Sequence, residues 1–315
     1  MLTMTDVIAL MRVAFVERGE GRAEIPDRTV LTQPGSGGTV LVMPGALPAL
    51  RAIGVKVVSV FPDNPARHGK PVITAQVLYV HPDTGEVALV LDGTWVTAMR
   101  TGAVTGLATD LLARADASHL LVFGTGPQAV TQIEAVCAVR SIRRVTVCGR
   151  AAERTAGFVD AQRAKRPDVV CEVAQSPDEA VAAADIIVTA TSSRTPVFDG
   201  RCLRPGVHVN AIGAFTPDAR ELDTTTLTRG RVYVDDREHA WREAGDLRIP
   251  HGEGVFAEDA IIGDLGALVS GRCEARSGDG DITVFKSVGL AIEDVMVAAR
   301  VWGQVCGGSA GPPQT

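Results

Sequence analysis

The stretch "LLVFGTGPQA", residues 120–129, constrains this chain more than any other. A short apolar run, Leu120 to Phe123, leads into Gly124, Gly126 and Ala129 at the G-x-G-x-x-A spacing, and a helix-like segment follows from Gln128 to Val139. The first glycine permits a tight turn, the second lets backbone approach a pyrophosphate, and the small Ala129 allows the helix to lie close on the strand. Gly124, Thr125, Gly126, Pro127, Gln128 and Ala129 are therefore candidate cofactor contacts. A second apolar strand, Val145 to Cys148, completes a dinucleotide-binding unit. Its tip normally carries an acid for the ribose 2'-hydroxyl of NAD, but here it reads "VTVCGR", with Arg150 at the tip and Arg143 and Arg144 just before the strand. A guanidinium fork suits a 2'-phosphate, so NADP is the expected cofactor and NAD the alternative. On spacing alone Arg150 can also be an ordinary solvated arginine.

This unit begins more than a third of the way along the chain, so the residues before it need a purpose of their own. They read as a helix capped by Thr5 or Asp6 and reaching about Glu17, then strand-like runs Thr29–Leu31, Thr39–Met43, Val55–Val60, Val72–Tyr79 and Val87–Leu91. Turn signals such as "HPDTGE" separate the runs, which predicts a mostly antiparallel sheet. A long helix from Trp95 to about Arg114 carries Ala98, Gly102, Ala103, Gly106 and Ala108, small residues that suggest close packing on another backbone. Past Arg150, further strands are expected at Val169–Val173, Ile186–Thr189, Val207–Ile212, Val232–Val234 and Thr283–Phe285, and a final helix ends near Cys306. The fold class is thus α/β, a doubly wound Rossmann domain over residues 116–289 with an α+β domain built from residues 1–115 and 290–315. The tail 307–315, "GGSAGPPQT", is expected to be disordered.

Composition narrows the function classes. A net charge of −6 and an isoelectric point near 5.6 argue against a nucleic-acid surface. No apolar run approaches the roughly 18 residues of a membrane span, and the N-terminus lacks a basic start and cleavage site, so a cytoplasmic protein is expected. The six cysteines form no C-x-x-C pair and have no partnering histidines, which predicts reduced thiols and no metal site.

Three cations outside the nucleotide unit draw attention: Arg28 beside a strand, Lys56 inside "IGVKVVSV", and Arg100 in the small-residue helix. A lysine alternating with apolar neighbours must find an anionic partner or shift its pKa. Together the three can clamp a small carboxylate. Spacing leaves open that Lys56 snorkels or pairs with an internal acid, and that the arginines are ordinary surface residues.

"GVKVVSVFPDNP", "LDGTWVTAMRTGAVTGLAT", "FGTGPQA", "NAIGAFTPDARELD" and "VFKSVGLAIEDV" resemble, in order and spacing, the ornithine cyclodeaminase/mu-crystallin family. The resemblance runs from about Arg28 to the last helix and implies a homodimer, with both chain ends forming the substrate and dimerisation domain. It also implies that Arg28, Lys56 and Arg100 hold a substrate carboxylate and that Thr101 lies beside the cofactor phosphates. Thr189, Asn210 and Gly213 fall at strand ends toward the nicotinamide, and Lys286, Ser287 and Gly289 match the closing motif.

One departure separates activities within that family. Its cyclodeaminases resemble "GGD-x-PGK-x-E", in which the Asp engages the substrate amine; here the loop reads "GAFTPDARE" and Phe215 stands at that place. A phenyl ring cannot take a proton or hold an ammonium by charge. Asp218 and Glu221 are the nearby acids that could substitute. The loop looks more like the mu-crystallin type, which implies a reductase of cyclic 2-carboxy imines such as 1-pyrroline-2-carboxylate or 1-piperideine-2-carboxylate. The alternatives are an ornithine cyclodeaminase, an alanine-type dehydrogenase, or a non-catalytic NADPH-binding protein.

Overall fold

The computed structural model describes residues 2–306; the tail at 307–315, expected to be disordered, lies outside the described residues. The chain divides into two compact units. One comprises the first residues to Ile8 together with Thr101–Val288, and the other Ala9–Arg100 with the residues from Gly289 on. The division falls inside the helix Gly93–Leu112, at Arg100/Thr101, whereas the sequence reading places it after that helix, at 115/116.

The first unit is an eight-stranded sheet built from β6 (His119–Phe123), β7 (Arg144–Cys148), β8 (Val170–Val173), β9 (Ile186–Thr189), β10 (His208–Ala211), β11 (Arg231–Val234), β12 (Ile261–Asp264) and β13 (Thr283–Lys286). Its order is β12-β11-β13-β10-β9-β6-β7-β8, and every pairing is parallel. Parallel strands covered on both faces need apolar side chains at every position. In β6, Leu120 and Val122 join a core with Val145, Val147, Ile186 and Val188, while Leu121 and Phe123 join another with Val209 and Ala211. The connection reverses between β6 and β9, which is where a doubly wound sheet opens a crevice at its carboxyl edge. Strand β12 escapes the sequence reading: "IIGD" is four residues long, and its register with β11 slips between Val232 and Tyr233.

The expected small-residue packing of the long helix is present in this unit. A Cβ on Gly102 would stand 2.8 Å from the Thr131 carbonyl oxygen, and one on Gly106 would meet Ile8 at 2.7 Å. The carboxyl end of the helix is held by Arg140, whose guanidinium donates to the carbonyls of Thr109, Asp110, Ala113 and Arg114. Such a cation satisfies the orphan carbonyls of a helix end and complements its dipole.

The second unit is an antiparallel sheet in the order β1 (Thr29–Gln33), β2 (Gly38–Leu47), β3 (Ala52–Val60), β4 (Ile73–Val80), β5 (Val87–Asp92). All five strands lie where the sequence places them. Pro44 is accommodated because β1 pairs with β2 only as far as Val42, leaving the proline's missing N–H without a ladder partner to lose. The inner face of the sheet packs on the last helix, Ala291–Cys306. Gly45 lies against Ala291, and Gly54 against Val295. The first helix, Met4–Gly19, is capped by Thr3 and not by Thr5 or Asp6. The Thr3 hydroxyl accepts from the Asp6 N–H at 3.2 Å while the Asp6 carboxylate takes the Thr3 N–H at 2.8 Å, a reciprocal capping box.

Candidate active site

At the carboxyl edge of β6, Gly124 adopts φ 115°, and a Cβ there would stand 2.5 Å from the Ala190 carbonyl oxygen just beyond β9. Only glycine fits both the conformation and the space. Gly126 is the N-cap of the helix Pro127–Val139 and has no side-chain cap; a Cβ there would meet nothing within 4 Å. The Gln128 side-chain oxygen is buried without a partner. Open space beside an uncapped helix start suits an entering phosphate, so the loop fits the pyrophosphate of a dinucleotide. Arg150 follows β7 and is exposed. Arg144 belongs to the other end of that strand and pairs with Glu172 at 3.2 Å, away from the tip.

Other residues expected at the cofactor are engaged within the unit. The Thr189 hydroxyl donates to Glu221, Asn210 Nδ2 donates to Thr109 Oγ1, and Ser287 Oγ donates to Asp235. Each of these side chains is buried, and each fixes a strand end. Thr101 is also buried. The Gly213 N–H goes to Glu221 at 2.6 Å.

Glu221 is the hub of the loop after β10. Besides the Gly213 N–H it accepts the Thr191 N–H and hydroxyl, both at 2.7 Å, and burial pushes its pKa up. Asp246, fully buried, accepts the N–H groups of Glu221 and Leu222 and pairs with Lys286 at 2.8 Å, while Lys286 donates to the Ala214 carbonyl. Asp218 is exposed. The Thr216 hydroxyl and the Arg194 guanidinium hold its carboxyl below the usual range. Neither candidate substitute for the missing cyclodeaminase acid is therefore unoccupied. Phe215 lies between these anchors and is 38% exposed.

In the second unit the structure brings the three predicted cations together. Lys56 projects from the inner face of β3 and is 2% exposed; its Nζ lies 2.6 Å from Asp294 Oδ2. Arg100 Nη1 lies 2.6 Å from Glu293 Oε2, and Arg100 Nε is 3.3 Å from Asp294 Oδ1. Arg28 Nη2 donates to the Gly289 carbonyl at 2.8 Å. Gly289 itself has φ 79°, and a Cβ there would overlap Arg100 Nη1. Glu293 Oε1 also accepts the Leu290 N–H, which ties the start of the last helix to the same cluster.

Glu293 and Asp294 are missed by sequence reasoning. Their signal is nonetheless present: two adjacent acids interrupt the apolar run "VGLAIEDVMVAA", and a buried lysine requires an anion. Burial, with the Arg100 charge second, lowers the Lys56 pKa to about 8 against the opposing pull of Asp294. An ammonium has three donors, yet among the described residues Lys56 Nζ makes one hydrogen bond. Two of its N–H groups have no partner among the described residues. Among the described residues no group of acids, histidines and cysteines is arranged to hold a metal ion, and no helix is long and apolar enough to cross a membrane.

The chain as a whole is similar to known proteins. The chain is 40% identical over 305 residues to a Delta(1)-pyrroline-2-carboxylate reductase of Bacillus cereus, covering 96% of this chain and 92% of the relative. It is 35% identical over 292 residues to the mouse ketimine reductase mu-crystallin, covering 91% and 87%. Among solved structures it resembles the Thermococcus litoralis Delta(1)-pyrroline-2-carboxylate reductase in complex with NADH and L-proline, with a TM-score of 0.93, 37% identity and coverage of 100% and 96%. The family model for ornithine cyclodeaminase/mu-crystallin matches residues 1–309, and the chain belongs to that family.

Proposed function

We propose that this protein reduces the C=N bond of a cyclic 2-carboxy imine, 1-pyrroline-2-carboxylate or its six-membered homologue, to the cyclic amino acid. The observation that carries the reading is the nearly buried Lys56 ammonium with two unused donors, in a cluster with Arg100 and beside the Gly289 carbonyl that binds Arg28. Relatives that act on the same imine, and one solved with L-proline bound, support it.

A bound nicotinamide dinucleotide supplies the hydride. Gly124–Ala129 accommodate its pyrophosphate, and Arg150 prefers the 2'-phosphate of NADPH over the free hydroxyl of NADH. Arg28, Arg100 and Lys56 fix the substrate carboxylate and thereby orient the imine carbon. Lys56, with its pKa near 8, is charged at neutral pH and can also yield the proton the imine nitrogen needs. Phe215 offers an apolar surface to a ring without a free amine. The occupation of Glu221 and Asp218 weighs against cyclodeamination.

The subunit pairs as a homodimer through the outer face of the antiparallel sheet. That face carries Leu31, Val40, Val42, Val55, Ile53 and Val90; Leu31, Ile53 and Val90 are 55%, 41% and 51% exposed. An apolar sheet face of this kind marks an association surface. The reaction is tested with a panel of cyclic imines, keto acids and amino acids, following NADPH and NADH absorbance and ammonia release. Steady oxidation of the cofactor with a cyclic imine and no ammonia from ornithine is expected. Ammonia from ornithine at about 1 per second or faster would overturn the assignment.

A further inference from the structure

We propose that Glu293 and Asp294, the adjacent acids in the first turn of the last helix, are positioning residues of the carboxylate clamp: Glu293 orients Arg100, and Asp294 orients Lys56 and keeps it charged. The inference rests on the reading that Lys56 and Arg100 hold the substrate carboxylate, and it adds the two groups that make those cations usable.

All four side chains are removed from water. Glu293 and Asp294 are fully buried, and Arg100 is 6% exposed. A lysine and an arginine side by side at this depth repel one another, and desolvation disfavours the ammonium. Asp294 offsets both effects from a single carboxylate, one oxygen 2.6 Å from Lys56 and the other 3.3 Å from Arg100 Nε. Glu293 fixes a different edge of the same guanidinium through Nη1, and its second oxygen is held by the Leu290 N–H, so the acid cannot swing away. The strands flanking Lys56, β2 and β4, carry no charged residue. The charges acting on it are Arg100 on the long helix and Glu293 and Asp294 on the last helix.

The two acids therefore have separable effects. Asp294→Asn removes the anion that raises the lysine pKa, so Lys56 should lose its proton at lower pH. Glu293→Gln removes the pin on Arg100 and leaves Lys56 its direct partner. The test measures kcat and KM for imine reduction between pH 6 and 10 in wild type, Asp294→Asn, Asp294→Glu and Glu293→Gln, alongside an NMR titration of the isotopically labelled Lys56 side chain in the same proteins.

In Asp294→Asn the alkaline limb of kcat/KM and the lysine midpoint should both move down by about 1 to 2 pH units, and in Asp294→Glu, whose carboxylate is displaced, both should move down by a smaller amount. In Glu293→Gln, kcat/KM should fall roughly tenfold to a hundredfold with the limb within about half a unit of wild type. If Asp294→Asn does not fold, Asp294→Glu carries the test, since a displaced carboxylate should still shift the midpoint measurably. A lysine midpoint unchanged in every folded Asp294 variant, with kcat/KM within about twofold of wild type, would overturn the proposal. The titration needs no substrate. A shifted midpoint in a protein that reduces no imine would refute the proposed reaction and leave the positioning role standing.

Discussion

The two units each bury a lysine against carboxylates, and the two clusters are built differently. In the parallel-sheet unit, Lys286 is divided between Asp246 and the Ala214 carbonyl, and Asp246 and Glu221 between them take four backbone N–H groups. Lys286 thus has two protein partners, and these contacts together tie down the loop carrying Phe215. In the antiparallel-sheet unit, Lys56 makes one hydrogen bond among the described residues, to a side chain. A lysine held by both a side chain and the main chain serves the fold. A lysine with fewer partners bears a cost in stability that a ligand or an ordered water can offset. Burial alone therefore does not separate the two lysines; among the described residues Lys286 has two partners and Lys56 one.

The sharpest way to break this contrast is to remove Lys286, the more fully partnered lysine. Lys286→Met strands Asp246 in the interior and should lower unfolding stability by about 3 to 5 kcal/mol, measured by urea denaturation. A loss below roughly 1 kcal/mol would mean that the cluster is not locked. Next in size, Arg100→Ala should cost about 2 to 5 kcal/mol in kcat/KM, and Arg100→Lys should remain impaired because the two-pronged geometry is lost. Near-normal turnover by a folded alanine variant would make Arg100 structural, like Lys286.

Arg150→Ala should weaken NADPH by about 1.5 to 3 kcal/mol and leave NADH nearly unchanged, read by fluorescence titration of each cofactor. Equal losses for both would end the assignment of Arg150 to the 2'-phosphate. The smallest effect is expected at Asp218, an exposed acid tied to Arg194. Asp218→Asn should leave imine reduction within about twofold of wild type. A large fall would restore this acid as a candidate for the chemistry.

Much of this is legible in the chain itself. A continuous apolar run such as Leu120–Phe123 has one good solution, a strand covered on both faces, and the alternation through Lys56 has another. Strand β12 is not legible because Ile-Ile-Gly-Asp has neither length nor period. The helix cap is displaced by two or three residues from its expected place because Thr3, Thr5 and Asp6 all carry capping chemistry, and only backbone geometry selects among them. At the site, the cations stand out as charges in unsuitable surroundings. Their acids do not, since Glu293 and Asp294 are 193 and 238 residues distant from Arg100 and Lys56 and look like ordinary first-turn helix acids. Polar residues at strand ends carry a second role that the sequence does not show. Thr189 and Asn210 have the chemistry of ligand contacts, and the fold uses them to fasten Glu221 and the long helix.

Gly289 restricts how such chains can diverge. Its backbone conformation excludes most side chains, and the space a methyl group would fill already holds the Arg100 guanidinium, so the two positions are not free to mutate independently. A descendant that acquires a side chain at 289 must adopt a strained backbone and displace the Arg100 guanidinium, which would disturb the proposed grip on a carboxylate. Positions 289 and 100 are therefore expected to change together or not at all.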